Sequence, residues 1–326
     1  MIIYKADKLK KIKIFDLNEE YIRLLSLLEK INPCNQFYEA TKDCLIISYE
    51  LKLNLLNFIN LLPLKAKAQI IGLPISVSQR GYYGDLNKTI EIIKKRKGLK
   101  IILNADEEII KNARTLSTFV FENNFETFDD YLNKLRSSYR RRINKALEYR
   151  SNLIINKIQN KEFSEKHYNL YLSIMKRTDN PLETLPIEFF RNYESEIYEF
   201  LDKGTLNVIG FIQLKEFDGR LCFLFGGFDK DDVKKYDLYY NMLLKIIEAG
   251  IEKKAHIIEF GQTAEESKLK IGCKEVYKYL YVHHSNFILN FIIQKLLPFM
   301  SYRPYRTVHH VFKEWNYDSI FRKSKG

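Results

Sequence analysis

The spacing of apolar residues predicts alternating helices and strands in the first 126 residues. Apolar side chains in residues 17–31 recur every three or four positions, as on the buried face of a helix, and residues 87–97 predict a second helix. Short apolar runs predict strands at 44–49, 68–73, 99–103 and 116–121. Gly72-Leu73-Pro74 ends the second of these strands, because proline cannot donate a hydrogen bond to a ladder.

The second half of the chain alternates more clearly. A long helix is predicted to begin after Thr127, whose hydroxyl can cap it, and to continue to Arg150. The elements that follow are strand 153–158, helices 164–178 and 186–201, strand 208–217, a hairpin turn at Asp218-Gly219, strand 221–228, helix 236–249, strand 256–260, helix 264–271 and strand 275–283. This order predicts an α/β (α+β) fold whose mixed sheet has antiparallel and parallel pairs.

Residues 257–272 combine a buried strand with the helix that follows it. Thr263 is predicted to cap this helix, with Glu266 three residues later completing a capping box. Gly272 is predicted to end the helix in a left-handed conformation. Strand end and helix start therefore lie close together in the chain.

Composition and charge narrow the class of protein. At 326 residues the chain is long enough for about two domains, and its 46% hydrophobic and 14% aromatic content argues against disorder. The net charge is +12, and residues 1–150 hold 27 Lys and Arg against 18 Asp and Glu. This excess favours an anionic partner, such as a phosphorylated cofactor, RNA, an acidic carrier protein or a membrane surface. A general richness in Lys, Ile and Asn explains the charge equally well.

Other patterns argue against secretion and metal binding. The basic N-terminal residues are followed by no apolar signal segment, so a cytoplasmic protein is predicted. The four cysteines form no C-x-x-C pair and are expected to be reduced thiols. The adjacent histidines His283-His284 and His309-His310 would point to opposite faces of a strand, so no metal site is predicted.

Three segments carry a resemblance to a known family. They are F-L-F-G-G-F-D, Y-D-L-Y-Y-N-M-L-L-K-I-I-E-A-G-I and I-I-E-F-G-Q-T-A-E-E-S-K-L-K-I-G, the last containing Gly261, Thr263, Lys268 and Gly272. Together they resemble the GNAT acyltransferase superfamily, and within it the FemAB-like, peptidoglycan-biosynthesis-type branch. The resemblance covers roughly residues 125–285.

The resemblance implies a GNAT-type fold in two tandem GNAT-like modules, at residues 1–126 and 127–286. Residues 287–326 would then be a C-terminal apolar helix and basic tail that pack on the core. The implied activity is N-acyl transfer, in which an amine attacks an activated acyl group directly and forms an amide.

One departure from the family pattern leaves the acyl donor open. Leu238 and Tyr240 stand where members that use acetyl-CoA have glycines around the pyrophosphate. Similar FemAB-like proteins also lack these glycines and take aminoacyl-tRNA. The donor is therefore acyl-CoA, an acyl-carrier thioester or aminoacyl-tRNA.

Candidate catalytic residues are Glu259, His283 and Lys268. Glu259 could accept the proton of the attacking amine, and His283 could serve as an acid or base. Lys268 matches the family's lysine and could bind a donor phosphate or a carboxylate. The competing interpretation for Glu259 and Lys268 is an ordinary surface residue of a strand and of a helix.

Candidate binding residues fall into two groups. The backbone N–H groups of two glycines could polarise the acyl carbonyl, and nearby cations and hydroxyls could hold the rest of the donor. The predicted donor-binding residues are Gly226, Gly227, Lys234, Lys235, Tyr236 and Thr263. Arg136, Arg140 and Arg141 could contact tRNA or a carrier protein, although a simple solvated helix face explains them too.

The apolar segment 287–300 leaves further alternatives open. It is too short to span a bilayer, and Asn290 and Gln294 line one of its faces. It could pack on the core, form a homodimer contact or lie on a membrane surface near a lipid-linked amine. A non-catalytic GNAT-fold module that binds RNA or an acidic carrier protein is the other alternative function.

Overall fold

The structure is a computed structural model that describes residues 2–11, 18–32, 34–54, 65–108, 113–177, 183–217, 219–303 and 307–313. The chain forms two compact units. The first comprises Met1–Thr118, Thr178–Glu194 and Val276–Pro304, and the second comprises Phe119–Arg177, Ser195–Glu275 and Tyr305–Gly326. Each unit has its own sheet and its own apolar core.

The described residues contain fifteen strands and ten α-helices. The strands are β1 (Ile2–Ile3), β2 (Phe37–Ala40), β3 (Cys44–Asn54), β4 (Lys65–Ile71), β5 (Tyr82–Gly84), β6 (Leu99–Ala105), β7 (Ala113–Arg114), β8 (Thr118–Glu122), β9 (Leu153–Ile158), β10 (Glu196–Asp202), β11 (Val208–Phe217), β12 (Arg220–Phe228), β13 (Ile257–Glu259), β14 (Lys274–Val276) and β15 (Tyr279–His284). The helices are α1 (Glu19–Ile31), α2 (Leu86–Lys94), α3 (Phe128–Lys134), α4 (Ser137–Arg150), α5 (Glu165–Met175), α6 (Ile187–Asn192), α7 (Lys230–Tyr236), α8 (Leu238–Glu252), α9 (Glu265–Lys270) and α10 (Phe287–Leu296).

The sheet of the first unit has the order β1-β2-β3-β4-β6-β15-β7, with β5 paired to β3. Strands β3 and β4 are antiparallel, and β6 returns parallel to β4 after helix α2. Asp85 caps α2 by accepting a hydrogen bond from the Lys88 N–H at 3.0 Å. The first unit is thus built around an antiparallel pair followed by a helical crossover to a parallel strand.

The sheet of the second unit has the order β14-β8-β13-β12-β11-β10-β9. Strands β11 and β12 form the predicted antiparallel hairpin, and β13 returns parallel to β12 after α7 and α8. In the hairpin turn Gly219 has a left-handed backbone (φ +72°), and Asp218 lies outside the described residues. The second unit repeats the antiparallel pair and helical crossover of the first, so the predicted mixed α/β fold of two tandem modules is confirmed.

In each sheet, the strand that returns after the helical crossover is β6 or β13. On its other side this strand pairs with a strand from the other half of the chain. Strand β8 pairs antiparallel with β13, and β15 pairs antiparallel with β6. The predicted strand 275–283 is consequently two strands, β14 and β15, in different sheets. Both units therefore contain segments from the two halves of the chain.

The predicted long helix from Thr127 to Arg150 is two helices. Thr127 does cap the first, α3, by accepting a hydrogen bond from the Asp130 N–H at 3.0 Å. The prediction of one continuous helix is wrong because the backbone between α3 and α4 bonds to residues far along the chain. Leu135 forms an antiparallel bridge with Phe312, and the Arg136 N–H donates to the carbonyl of Val311.

The predicted helix 186–201 is wrong in its second half. Helix α6 ends at Asn192, and Glu196–Asp202 forms β10, which pairs with β9 on one side and β11 on the other. Cross-strand partners on both sides outweigh local helix propensity here. At the C-terminus, α10 continues into a 3₁₀ turn at Leu297–Met300, and residues 314–326 of the predicted tail lie outside the described residues.

Candidate functional site

The candidate site of the second unit lies where two parallel strands separate. Strands β12 and β13 pair over three residues, ending with Cys222 opposite Glu259. Beyond that point β12 continues along β11 to Phe228, whereas the chain after β13 bonds to β8 through the Phe260 N–H and the Phe119 carbonyl. Crevices outside the carboxyl ends of parallel strands are common ligand sites in α/β sheets.

A β-bulge lies on β12 just past the point of separation. Gln213 pairs with Phe225 but the next residue, Leu214, pairs with Phe223, so Leu224 is the extra residue of the bulge. Bulges occur frequently beside active sites, because they leave one backbone residue out of the ladder. Sequence reasoning missed Leu224, and nothing in the local sequence marks it.

The predicted glycines Gly226 and Gly227 follow this bulge and are tightly packed. A Cβ on Gly227 would lie 2.7 Å from the backbone of Leu170 and Tyr171 in α5. A Cβ on Gly226 would lie 3.2 Å from the Met242 side chain of α8. The two glycines therefore let helices approach both faces of β12, which explains them without a ligand.

Glu259 is a buried carboxylate rather than a solvent-facing strand residue. Its side chain is 7% exposed, and the Cys222 thiol on the neighbouring strand lies 3.8 Å from its Oε2. The adjacent Ile258 packs on Gly250 of α8. Because side chains alternate along a strand, Glu259 points to the opposite face of the sheet. Helix α5 covers that face at Gly227. A buried carboxylate is uncommon and is often functional.

Lys268 is a buried cation at the end of the site. It is 2% exposed, and burial lowers the pKa of its ammonium group from the ordinary 10.5 to about 8. Its Nζ donates to the carbonyls of Gln262 at 2.7 Å and Gly261 at 3.2 Å, and it lies over the ring of Phe119. The third N–H of the ammonium has no acceptor among the described residues.

The prediction that Gly272 ends α9 in a left-handed conformation is confirmed. Gly272 has φ +102°, and its N–H donates to the carbonyl of Leu269, while the Cys273 N–H donates to that of Lys268. These two hydrogen bonds form a Schellman motif. The motif anchors the turn of α9 that carries Lys268.

The predicted capping of α9 by Thr263 is wrong. The cap residue is Ala264, no side chain caps the helix, and Gly261, Thr263 and Ala264 all have left-handed backbones (φ +67°, +64° and +50°). This conformation places Thr263 before the cap position instead of at it. We call residues 261–264 the left-handed turn. For a β-branched residue such as Thr263 this backbone conformation is unusual.

The structure separates the three predicted catalytic residues. Val120 is in register with Glu259, so the neighbouring Phe119, on which Lys268 lies, points to the other face of the sheet. His283 belongs to the first unit, where it pairs with Lys100 on β6, and burial together with Lys100 and Lys94 lowers its pKa. Glu259 and Lys268 thus lie on opposite faces of the second unit's sheet.

Helix α7 holds both predicted donor-binding cations, Lys234 and Lys235, together with Tyr236. Lys235 pairs with Asp202 at 3.2 Å, and the Tyr236 hydroxyl donates to the same carboxylate. These contacts, with two backbone N–H donors, hold the pKa of Asp202 well below its usual range. Lys235 and Tyr236 are therefore engaged in fixing α7 to β10, whereas Lys234 is exposed.

The start of α8 lacks room for a pyrophosphate loop of the glycine-rich type. Leu238 and Tyr240 are both buried in the core. Asp237, left-handed at the junction with α7, pairs with Arg142, and the Arg142 guanidinium lies 3.9 Å above the Tyr240 ring. Bulky side chains and an internal ion pair occupy the place that glycines would leave to phosphate.

The predicted anion-contact arginines are partly exposed. Arg141 and Arg136 are exposed, and Arg140 is half-buried. The Arg136 side chain donates to the carbonyl of Phe312 at 3.0 Å. Within the described residues no three His, Cys, Asp or Glu side chains come together as metal ligands would.

Sequence reasoning also missed a buried polar chain on α5. His167 is 3% exposed and lies between Ser164, 2.9 Å from its Nδ1, and Glu199, 3.1 Å from its Nε2. His167 also accepts the Ser164 N–H, which makes it part of the capping of α5. In the sequence, the three-residue spacing of Ser164 and His167 could have indicated that these residues cap α5.

Comparison with known proteins gives no match to any protein-family model and none to a curated protein. Solved structures do match. The structure of L-PGS from Bacillus licheniformis has a TM-score of 0.50 at 10% identity, over 84% of this chain and 96% of that one. The C-terminal domain of a putative lysylphosphatidylglycerol synthetase from Agrobacterium fabrum has a TM-score of 0.56 at 8% identity, over 90% and 96%. The structure of FemX has a TM-score of 0.48 at 12% identity, over 79% and 90%.

Such identities establish the fold and not the reaction. The matched chains are covered almost from end to end, so the likeness includes both units. The chain therefore shares the two-module fold of the L-PGS structure and of the putative lysylphosphatidylglycerol synthetase domain.

Proposed function

We propose that the chain is an N-acyltransferase, FemAB-like in type, that joins an amine to an activated acyl group as an amide. The observation that carries this proposal is the buried Lys268 ammonium, with one N–H unused, at the separated ends of β12 and β13. The remaining N–H of this buried ammonium suits an anionic or carbonyl oxygen of a ligand. The fold shared with the L-PGS and putative lysylphosphatidylglycerol synthetase structures supports acyl transfer as the general class of reaction.

In the proposed reaction the amine nitrogen attacks the acyl carbonyl carbon directly. A carbon–nitrogen bond forms and the bond from the carbonyl carbon to the donor sulfur or oxygen breaks. The amine proton passes to Glu259, and the leaving thiolate or alkoxide takes up a proton from solvent. Lys268 and the backbone at the Leu224 bulge would stabilise the negative charge that develops on the carbonyl oxygen.

For the donor we favour aminoacyl-tRNA over acyl-CoA. The buried Leu238 and Tyr240 and the Arg142–Asp237 pair fill the start of α8, so the usual backbone cradle for the CoA pyrophosphate is lost. A tRNA donor would instead rely on contacts to its phosphate backbone from exposed arginines such as Arg141. An acyl-carrier protein, whose acidic surface could meet the same arginines, is the other donor to be tested.

The decisive experiment is a mass-spectrometric assay of the purified chain with acyl-CoA, acyl-carrier protein and aminoacyl-tRNA donors and a panel of amines. We expect an amide product with aminoacyl-tRNA. Lys268→Met should lower kcat/KM by about 10²–10³-fold, and Glu259→Gln by about 10²–10⁴-fold. Lys270→Met removes a half-exposed lysine of the same helix and is the matched control. Full activity in both site variants would refute the site assignment.

Binding can be separated from transfer. Replacing Arg140 and Arg141 together by alanine should weaken tRNA binding and reduce its dependence on salt. If tRNA binds in this salt-sensitive way but no donor gives product, the chain is a binding module. If only acyl-CoA gives product, the donor assignment is wrong while the acyltransferase assignment stands.

A further inference from the structure

Helix α10 of the first unit is attached to its sheet by its polar side. The side-chain oxygen of Asn290 accepts the His284 N–H at 3.0 Å, and the Gln294 amide donates to the carbonyl of Val282 at 2.7 Å. Leu297, which is buried, completes this contact. The helix is thus held on β15 largely by side-chain bonds to the strand backbone.

The opposite side of α10 and its 3₁₀ turn is an exposed apolar surface. Phe287 is 82% exposed and Phe299 is 86% exposed. The exposed members, which we call the α10 face, are Phe287, Ile288, Leu289, Phe291, Ile292, Leu296 and Phe299. Single exposed apolar residues are ordinary, but a contiguous set on one helix indicates a contact with something outside the unit.

Cations lie on α10 and near its two ends. The loop before β6 is bonded to the start of α10, because the Ser285 N–H donates to the Gly98 carbonyl and the Gly98 N–H donates to the Ser285 hydroxyl. Lys97, in this loop, is exposed. Lys295 on the helix and Arg303 after it are also exposed, and residues 284–303 contain no Asp or Glu.

We propose that the α10 face is a docking surface for an anionic lipid bilayer, with α10 lying in the plane of the interface. Apolar and aromatic side chains on one face with Lys and Arg beside them are the composition of interfacial helices. At ten residues α10 is about 15 Å long, half the thickness of the hydrocarbon core. No helix within the described residues is long and apolar enough to cross a membrane.

The charge pattern favours a bilayer over a second copy of the chain. A two-fold contact through the α10 face would bring the same cations of both copies, including Lys295 and Arg303, towards each other. Like charges brought together at an interface oppose association. Anionic headgroups, in contrast, attract each of these side chains.

The test uses the full chain and sedimentation with vesicles of phosphatidylcholine alone or with one-quarter phosphatidylglycerol. We expect binding to the anionic vesicles that weakens in high salt. Phe291→Asp should lower the partition coefficient at least about tenfold, and Lys295→Gln about fivefold on anionic vesicles. Leu206→Asp, at an exposed apolar residue of the second unit, is the matched control and should bind as the wild type does.

Three outcomes would overturn the proposal. They are a wild-type chain that stays in the supernatant with anionic vesicles, undiminished binding by Phe291→Asp, and a dimer in size-exclusion chromatography that Phe291→Asp dissociates without any vesicle binding. Circular dichroism melting of each variant confirms that it is folded. No acyl donor enters the assay, so its failure is separate from a failure of the proposed acyl transfer.

Discussion

Replacing Lys268 by methionine should change how the stability of the chain depends on pH. Methionine keeps much of the length and volume of the side chain but removes the buried charge. In the folded chain burial lowers the pKa of Lys268 from 10.5 to about 8. The charged form is therefore less favourable in the folded state than in the unfolded state.

The sign and size of the effect follow from this pKa difference. Between pH 8 and 10.5 the unfolded chain binds more protons at Lys268 than the folded chain does, so folding becomes more favourable as pH rises. The burial of the charge costs about 3 kcal/mol at pH 7, and about 2 kcal/mol at pH 9. The wild type should therefore gain about 1 kcal/mol relative to Lys268→Met between these two pH values.

The absolute stability of the variant is a poorer test than its pH dependence. Without the ammonium group, the Gly261 carbonyl keeps its hydrogen bond from the Phe119 N–H, but the Gln262 carbonyl loses the bond from Lys268. Such a loss costs roughly 1–3 kcal/mol. At pH 7 this cost offsets much of the gain from removing the charge, whereas the pH dependence is unaffected by it.

The assay is urea unfolding of wild type and Lys268→Met, followed by circular dichroism at pH 7, 8 and 9. Subtracting the unfolding free energies of the two proteins removes the contributions of the titratable groups that both proteins contain. Lys270→Met measures the effect of losing one lysine from the same helix. A difference that stays constant from pH 7 to 9, or that moves against the wild type, would refute the burial of a charged Lys268.

The remaining predictions concern helix capping and close packing. Thr127→Ala removes the oxygen that accepts the Asp130 N–H and should destabilise the chain by about 1 kcal/mol in urea unfolding, with Thr127→Ser close to wild type. Gly227→Ala should cost about 1–3 kcal/mol in the same assay, because the new methyl group would lie 2.6 Å from the Phe211 ring and 2.7 Å from the α5 backbone. A neutral result for Gly227→Ala would mean that α5 can move away from β12.

In the second unit, local sequence patterns were most successful for helices and strands that pack against a single core. The β11–β12 hairpin, α8, β13 and the left-handed end of α9 at Gly272 all follow from short-range spacing and turn residues. Errors occur where distant residues decide the backbone conformation. The break at Leu135 depends on bonds to Phe312 and Val311, about 175 positions later. The spacing of apolar residues near Leu135 cannot predict these distant bonds.

The candidate site shows the same division between local and distant information. The residue types at Glu259 and Lys268 drew attention in the sequence, but their burial and their opposite faces depend on how β8 pairs with β13. Strand β8 belongs to the first half of the chain, whereas β15, from the second half, lies beside β6 in the other sheet. The Leu224 bulge likewise depends on the β11 register, which a single strand sequence does not specify.

The left-handed turn and Lys268 form one connected structural element. Placing Thr263 and Ala264 in the left-handed region costs about 1–2 kcal/mol for each residue, and the buried charge adds its own cost. A simple connection from β13 to α9 requires neither. Both unfavourable features meet where β12 and β13 separate, and the ammonium binds two carbonyls of that turn. Unfavourable conformations and perturbed charges collect at functional sites. We therefore propose that this turn and its lysine have the main role in ligand binding, with Glu259 acting from the other face of the sheet.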